Sequence, residues 1–415
     1  MLNGARGQVL RDRLLSYVRP AERWRRGLLL AVAVVLVARL CLGLIMGAVW
    51  FVAKPHLPPE QVCSLELNRG LPVPTEFPAD ALLGVWQRWD AIHYLNLARV
   101  GYFGLSDGES VFYPLYPFFV RWVAPLLGGS YLGAGLLVST LASVAALTCL
   151  FWLAEEHYGP DTARWTVCAL AVFPTAFFLL APYGESLFLA LTIGAFIAAH
   201  RKRWWLVGLL AGMASLTRGP GVMTPAALAW LAWDQRRRTD PRRPIAHAAQ
   251  VGLGVGLPIV TCFAFNWWRL AAGYPPITTV LRKYVGLEVV NPVTGIVRAV
   301  AQLVSTLHPL AALEVASTFL FVGLTVAMVR VERWRKWPWI VHMILNLTLL
   351  LSKVSYLATS FHSNARYVIV LFPGFIVIGD WLSRLRPRLR FAYLACSGAL
   401  LLVASSMFGL WFFLG

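Results

Sequence analysis

Charge is scarce in this chain of 415 residues: Asp, Glu, Lys and Arg make up only 13% of it, and 19 acids face 37 bases. A soluble domain carries about 25% charged residues, so a water-covered globule is excluded. Cysteine is sparse too. Of six, Cys41, Cys149, Cys168, Cys262 and Cys396 lie in apolar segments and Cys63 in a polar one, which gives neither a disulfide framework nor a zinc spacing. There is no DxD-like run and no His/carboxylate cluster, so no metal and no cofactor is expected. Repeats of fixed period and inverted symmetry are absent, which argues against a transporter built from two related halves. The first apolar run, Gly27 to Ala53, is longer than a signal-peptide core and lacks a small-x-small cleavage site, so it is expected to stay as an anchor.

What fills the chain is apolar sequence, at 58% of residues. A helix needs about 20 such residues to cross a hydrocarbon core, and only helices or closed barrels satisfy their own backbone there. The reading is an all-α polytopic membrane protein of about 11 transmembrane helices, near 28–53, 131–153, 163–181, 185–200, 204–217, 221–233, 247–271, 309–330, 338–352, 366–384 and 391–414. The net charge of +18 gathers in connectors: Arg6 to Arg26, RKR 201–203, RRRTDPRR 236–243, RVERWRK 330–336 and RLRPRLR 384–390. Such clusters beside apolar runs mark cytoplasmic loops and anionic lipid contacts, not nucleic-acid binding. The organisation expected is a basic N-terminus inside (1–27), a first span (28–53), a large extracytoplasmic loop (54–130) and a polytopic domain (131–415).

That loop holds the unusual chemistry. Pro55, Pro58, Pro59, Pro72, Pro74 and Pro78 rule out a helix in its first part. From Leu82 to Tyr102 helical spacing aligns Trp86, Asp90, His93, Tyr94 and Leu97, which predicts one interfacial helix. Val111 to Leu127, interrupted by Pro114, Pro117 and Pro125, reads as a juxtamembrane or re-entrant helix. A bent hairpin is expected around Thr217-Arg218-Gly219-Pro220, and plain outer loops at Gly273 to Gly295 and Ser352 to Arg366.

Asp90, flanked by Arg88, Trp89 and His93 at the water boundary, can take a proton from a hydroxyl nucleophile; the same placement suits a solvated interfacial acid. His93 fits a hydrogen-bonded structural role as well as a base. Glu185 opens a helix, where an acid also offsets unpaired backbone donors. Asp107 and Glu109 read as a solvated turn in SDGES. Arg218 and Arg366 stand at outer span ends, where a guanidinium suits a phosphate or simply snorkels. Arg39, deep in the first span, could pair with a neighbouring helix or serve a ligand.

The order RWDAIHYLNLARVGY (88–102), FYPLYPFFVR (112–121), FPTAFFLLAPYGESLFLALT (173–192), SLTRGPG (215–221) and NARYVIVLFP (364–373) resembles the GPI mannosyltransferase 2 family, membrane glycosyltransferases of the GT-C fold. The resemblance covers roughly residues 84 to 221 and, weakly, the C-terminal third. It implies a GT-C-like architecture and transfer of a sugar, typically mannose, from a polyprenyl-phosphate donor to a lipid or glycan acceptor outside the cytoplasm, with inversion. Carried over, Asp90 is the base, Glu185 a second acid, Arg218 and Arg366 hold the carrier phosphate, and Arg88, His93, Tyr113 and Tyr367 are further donor contacts. The chain reads APYGESL where the family has GYSEAL, keeping the acid but moving the small residues. Its compact, Arg-rich make-up suits a prokaryote, where no GPI anchor is made, so the acceptor stays open. A transporter or flippase of lipid-linked sugars, a GT-C enzyme with another sugar or a protein acceptor, and a scaffold are the rivals.

Overall fold

The computed structural model describes residues 2–57, 68, 70–74, 76–103, 106–237 and 244–412. Cys63, Pro58, Pro59 and residues 238–243 of the basic connector lie outside the described residues. The described residues are mostly helical, with one small ribbon. Among the described residues, five helices are long and apolar enough to cross a membrane: Ala21–His56, Tyr131–Tyr158, Ala248–Ala271, Pro309–Arg330 and Pro387–Gly409. A sixth is a broken pair, Asn364–Val370 and Phe372–Arg384, bent by 76°. Four shorter apolar helices, Leu115–Leu127, Glu185–His200, Trp204–Ser215 and Trp337–Leu351, complete the set. This is an integral membrane protein; among the described residues five or six helices reach full span length, and the shorter apolar helices make up the rest of the expected set only in part.

The differences have local causes. The expected span 163–181 is instead a helix Pro160–Ala171 and a separate 3-10 turn Ala176–Leu179. Pro174 disfavours helical backbone at Phe173, and the first helix stops short of it. The basic N-terminus and first span are one uninterrupted helix, Leu2–Ala53. Between residues 82 and 102 the single expected helix is three pieces, Ala79–Leu82, Gly84–Trp86 and Asp90–Val100. The break falls at Trp89, whose φ of 53° is left-handed and incompatible with continuing the helix.

Tyr131–Tyr158 is the central helix, packed against the first helix, Pro160–Ala171 and Glu185–His200. Its small residues let neighbours come close. A Cβ at Gly135 would stand 2.8 Å from Leu95 and 2.9 Å from Pro182, so glycine is what allows the Asp90 helix and the turn before Glu185 to meet there. Tyr116 bonds the same place, to Gly135 O at 2.9 Å and Ser139 Oγ at 2.8 Å. The two outer stretches expected as plain loops instead carry the ribbon: Leu287–Val289 pairs antiparallel with Lys353–Ser355, with Val289 opposite Lys353. Helices Ile277–Val285 and Pro292–Thr306 flank its first strand.

Candidate active site

Four breaks in helical structure converge at one end of the bundle, and each delivers a charge. Asp90 and Glu185 are the first residues of their helices. Arg218 is extended, φ −156° and ψ 146°, between Trp204–Ser215 and the 3-10 turn Gly219–Met223. Arg366 lies in the short helix Asn364–Tyr367, in the first arm of the broken span. Helix N-termini carry partial positive charge, which favours both acids where they stand. Neither side chain caps its own helix. They face the arginines instead.

Arg366 Nη1 donates to Asp90 Oδ2 at 2.6 Å, and its Nε stands 3.2 Å from Glu185 Oε1. Arg218 Nη1 pairs with the same Glu185 oxygen. Glu185 thus bridges two guanidinium groups, and the capping account gives way to an ion-pair account. The Glu185 side chain is 1% exposed and Arg366 6%, whereas Asp90 keeps 23% of its surface. Glu185 Oε2 is buried with no hydrogen-bond partner among the described residues. Tyr367 closes the cluster: Arg366 Nη2 donates to its hydroxyl at 3.1 Å, and the Arg218 guanidinium lies 4.8 Å from its ring centre. The structure therefore joins Asp90, Glu185, Arg218, Arg366 and Tyr367.

A fifth charge was not legible in the sequence. Lys353 Nζ sits 3.7 Å from the Tyr367 ring centre and donates to His362 O at 3.3 Å. Burial of the ammonium is the largest influence on it and lowers its pKa from the ordinary lysine value to about 8. It escaped notice because its segment looked like a plain loop, whereas ribbon pairing fixes it beside the cluster. The immediate cluster then has three cations to two carboxylates, with buried Glu314 a further acid acting on Lys353.

Other candidates fall nearby or elsewhere. Tyr113 borders the Arg218 turn: a Cβ at Gly219 would be 3.3 Å from its hydroxyl, and Leu115 N donates to Leu216 O at 2.9 Å. His93 turns to Glu109, Nδ1 to Oε1 3.6 Å, with its ring stacked on Phe112 at 4.9 Å. Glu109 is 2% exposed and accepts from Asn96 at 3.0 Å, so the solvated-turn reading is corrected. The turn is held under the Asp90 helix by Arg269, which donates to Ser110 O at 2.6 Å and Ser110 Oγ at 2.7 Å. Arg88 points away from the cluster. It is 2% exposed, donates to Gly84 O at 2.6 Å and Gly409 O at 3.0 Å, and lies against the rings of Trp50 and Trp411. It fixes the strained turn before Asp90, with Tyr183 donating to its carbonyl at 3.1 Å. Arg39 resolves to helix pairing, through Leu180 O at 2.6 Å and Thr140 Oγ1 at 2.8 Å. Among the described residues, no three His, Cys, Asp or Glu side chains gather as a metal would require.

Comparison with known proteins supports the resemblance drawn from the motifs. Residues 113–264 match the family model described as dolichyl-phosphate-mannose-protein mannosyltransferase. GPI alpha-1,6-mannosyltransferase 2 of Rattus norvegicus is 35% identical over 160 residues, 35% of this chain and 31% of that protein. The Homo sapiens protein of the same name is 31% identical over 159 residues, with the same shares. The chain thus aligns with about a third of the length of these relatives. Among solved structures, ArnT from Cupriavidus metallidurans bound to undecaprenyl phosphate aligns with a TM-score of 0.48 at 16% identity, covering 87% of this chain and 62% of that one. Over about a third of its length, then, this membrane protein is similar to the GPI alpha-1,6-mannosyltransferase 2 proteins.

Proposed function

We propose that the protein is a membrane glycosyltransferase, of GT-C-like architecture, that moves a sugar, mannose in the first instance, from a polyprenyl-phosphate donor to a hydroxyl acceptor. The observation that carries this reading is buried Arg366 bridging Asp90 and Glu185 in the first arm of the broken span. A departing phosphate tethered to a lipid chain needs cations at membrane depth, and the accepting base needs contact with water. The buried arginines and partly exposed Asp90 meet those two needs.

In the step proposed, the acceptor O–H gives its proton to Asp90 as its oxygen attacks the anomeric carbon from the face opposite the phosphate. The bond from that carbon to the phosphate oxygen breaks, and the configuration inverts. The carrier leaves as a phosphate monoester with one more negative charge, and Asp90 becomes neutral. Arg366 then loses its reason to stay on Asp90 and gains one to face the phosphate, so proton uptake and charge build-up favour the same rearrangement. Lys353 supplies the cationic excess that a singly charged donor would balance, and Glu185 Oε2 is free to accept from a sugar or acceptor hydroxyl. No metal enters this scheme. The connectors' basic charge supports a cytoplasmic N-terminus and an outward-facing cluster.

The test is incubation of the protein in sealed membrane vesicles of either orientation with a panel of polyprenyl-phosphate sugars and a membrane lipid extract, followed by mass analysis. Glycosylated lipid is expected from water-side acceptors on right-side-out vesicles only. Sugar carriers crossing the vesicle with no product formed would replace the enzyme reading with a transporter.

A further inference from the structure

At the other end of the helix Glu185–His200, 16 residues or about 24 Å from the charged cluster, lies a second site. A cavity of about 410 Å³ opens there between the ends of Tyr131–Tyr158, Glu185–His200 and Thr224–Arg237 and the start of Trp337–Leu351. That volume falls within the range of roughly 300–1,000 Å³ typical of small-ligand sites.

Its walls have a definite chemistry. Lys336 lines it, half-buried, and its side chain makes no hydrogen bond or ion pair with any described residue. Arg335 beside it is held in place by Val329 O at 2.9 Å, keeping its charge at the rim. His157 and His200 stand 5.1 Å apart between ring centres. His157 Nδ1 donates to Leu153 O at 2.9 Å, while His200 Nε2 is buried with no partner among the described residues. Trp230 and Trp337 stack at 5.8 Å, both well exposed, as rings do at the level of lipid headgroups. Asp234 is the lone acid in the lining, and it is engaged. Two cations against one carboxylate leave one positive charge, with an orphaned imidazole nitrogen beside it.

We propose that this cavity binds the phosphodiester headgroup of an anionic phospholipid in the leaflet opposite the charged cluster. Lys336 and His200 contact the phosphate, and the stacked tryptophans lie along the glycerol and upper chains. A single phosphodiester balances the net charge, whereas a zwitterionic headgroup does not. This site is independent of the transfer reading, because no residue is shared.

The test is native mass spectrometry of the full chain in a phospholipid-free detergent, titrated with phosphatidylglycerol, phosphatidylcholine or inorganic phosphate. One phosphatidylglycerol is expected to bind at least tenfold more tightly than phosphatidylcholine. Lys336→Glu should weaken it at least tenfold, while Arg388→Glu, an equal charge change on a neighbouring connector, leaves it unchanged. If Lys336→Glu does not fold, Lys336→Gln should still weaken binding several-fold. Equal binding of both lipids, or unaltered binding in the Lys336 variants, overturns the proposal. Displacement of the lipid by millimolar inorganic phosphate also overturns it, since the site would then serve a free anion.

Discussion

Arg366 and Asp90 lie 276 positions apart in the chain and meet at 2.6 Å, with the guanidinium also reaching Glu185. The pair orients the carboxylate and leaves 23% of its surface open, so an acceptor hydroxyl can reach it. In the proposed transfer, a phosphate that draws Arg366 away frees the bonded oxygen of Asp90 for the acceptor's proton.

Asp90→Asn is therefore expected to lower transfer by about 10²–10⁴-fold, the usual contribution of a positioned base. The amide oxygen still accepts from Arg366, so thermal stability and donor binding should stay near the unaltered protein's. Transfer kinetics with both substrates varied provide the check, and activity within threefold of the original would remove Asp90 from the mechanism.

The Glu185 and Arg218 pair is buried on both sides, at 1% and 8% exposure. Removing the Glu185 charge leaves Arg218 without a carboxylate, a loss of about 3–5 kcal/mol, and removing Arg218 leaves the buried Glu185 with Arg366 alone, which also costs stability. Arg218→Met and Glu185→Gln should each lower the unfolding midpoint markedly. The double variant should lose less than the two losses added together. Additive losses would show that the two side chains do not act as a pair.

How much of this site could be read from the sequence follows from the cost of charge in an apolar chain. Asp90, Glu185, Arg218 and Arg366 drew notice because isolated charges beside membrane spans are expensive, and the fold brings all four together. Arg88 shared that signal but serves packing, since periodicity does not tell which carbonyls a guanidinium will find. Glu109 was misread because Asp, Gly and Ser favour turns whether or not the turn is later buried. Lys353 gave no signal at all, because strand pairing between segments 64 or more positions apart places it. The fold class was legible in apolar content, while the number of full spans was not: Pro174 and the bend at residue 371 divide stretches that composition alone leaves whole.

The Arg218 turn depends on Gly221. A Cβ there would stand 2.6 Å from Ser215 Cα and 2.7 Å from Ser215 N, backbone atoms that move only if the turn moves. Gly221→Ala should displace Arg218 and lower kcat/KM by at least tenfold. Gly323→Ala, in a helix with nothing within 4 Å, should be neutral or slightly stabilising. Equal activity in both variants would show that the turn's position is unimportant.

Lys353 gives the transfer reading a pH signature. Its pKa is lowered to about 8, with Tyr367, Arg366, Glu314 and Arg218 acting on it after burial itself. A phosphate bound nearby stabilises the ammonium and raises that pKa, so binding and proton uptake are linked. Below pH 8 the free site already holds the proton and donor affinity is full. Above it, binding must first recruit the proton, and the donor KM should rise by up to about tenfold per pH unit until the bound-state pKa is reached. Lys353→Met should raise KM at pH 7 and flatten this alkaline limb, with kcat less affected. Donor KM measured from pH 6.5 to 9.5 distinguishes the cases, and an alkaline limb that persists in Lys353→Met would assign it to another group.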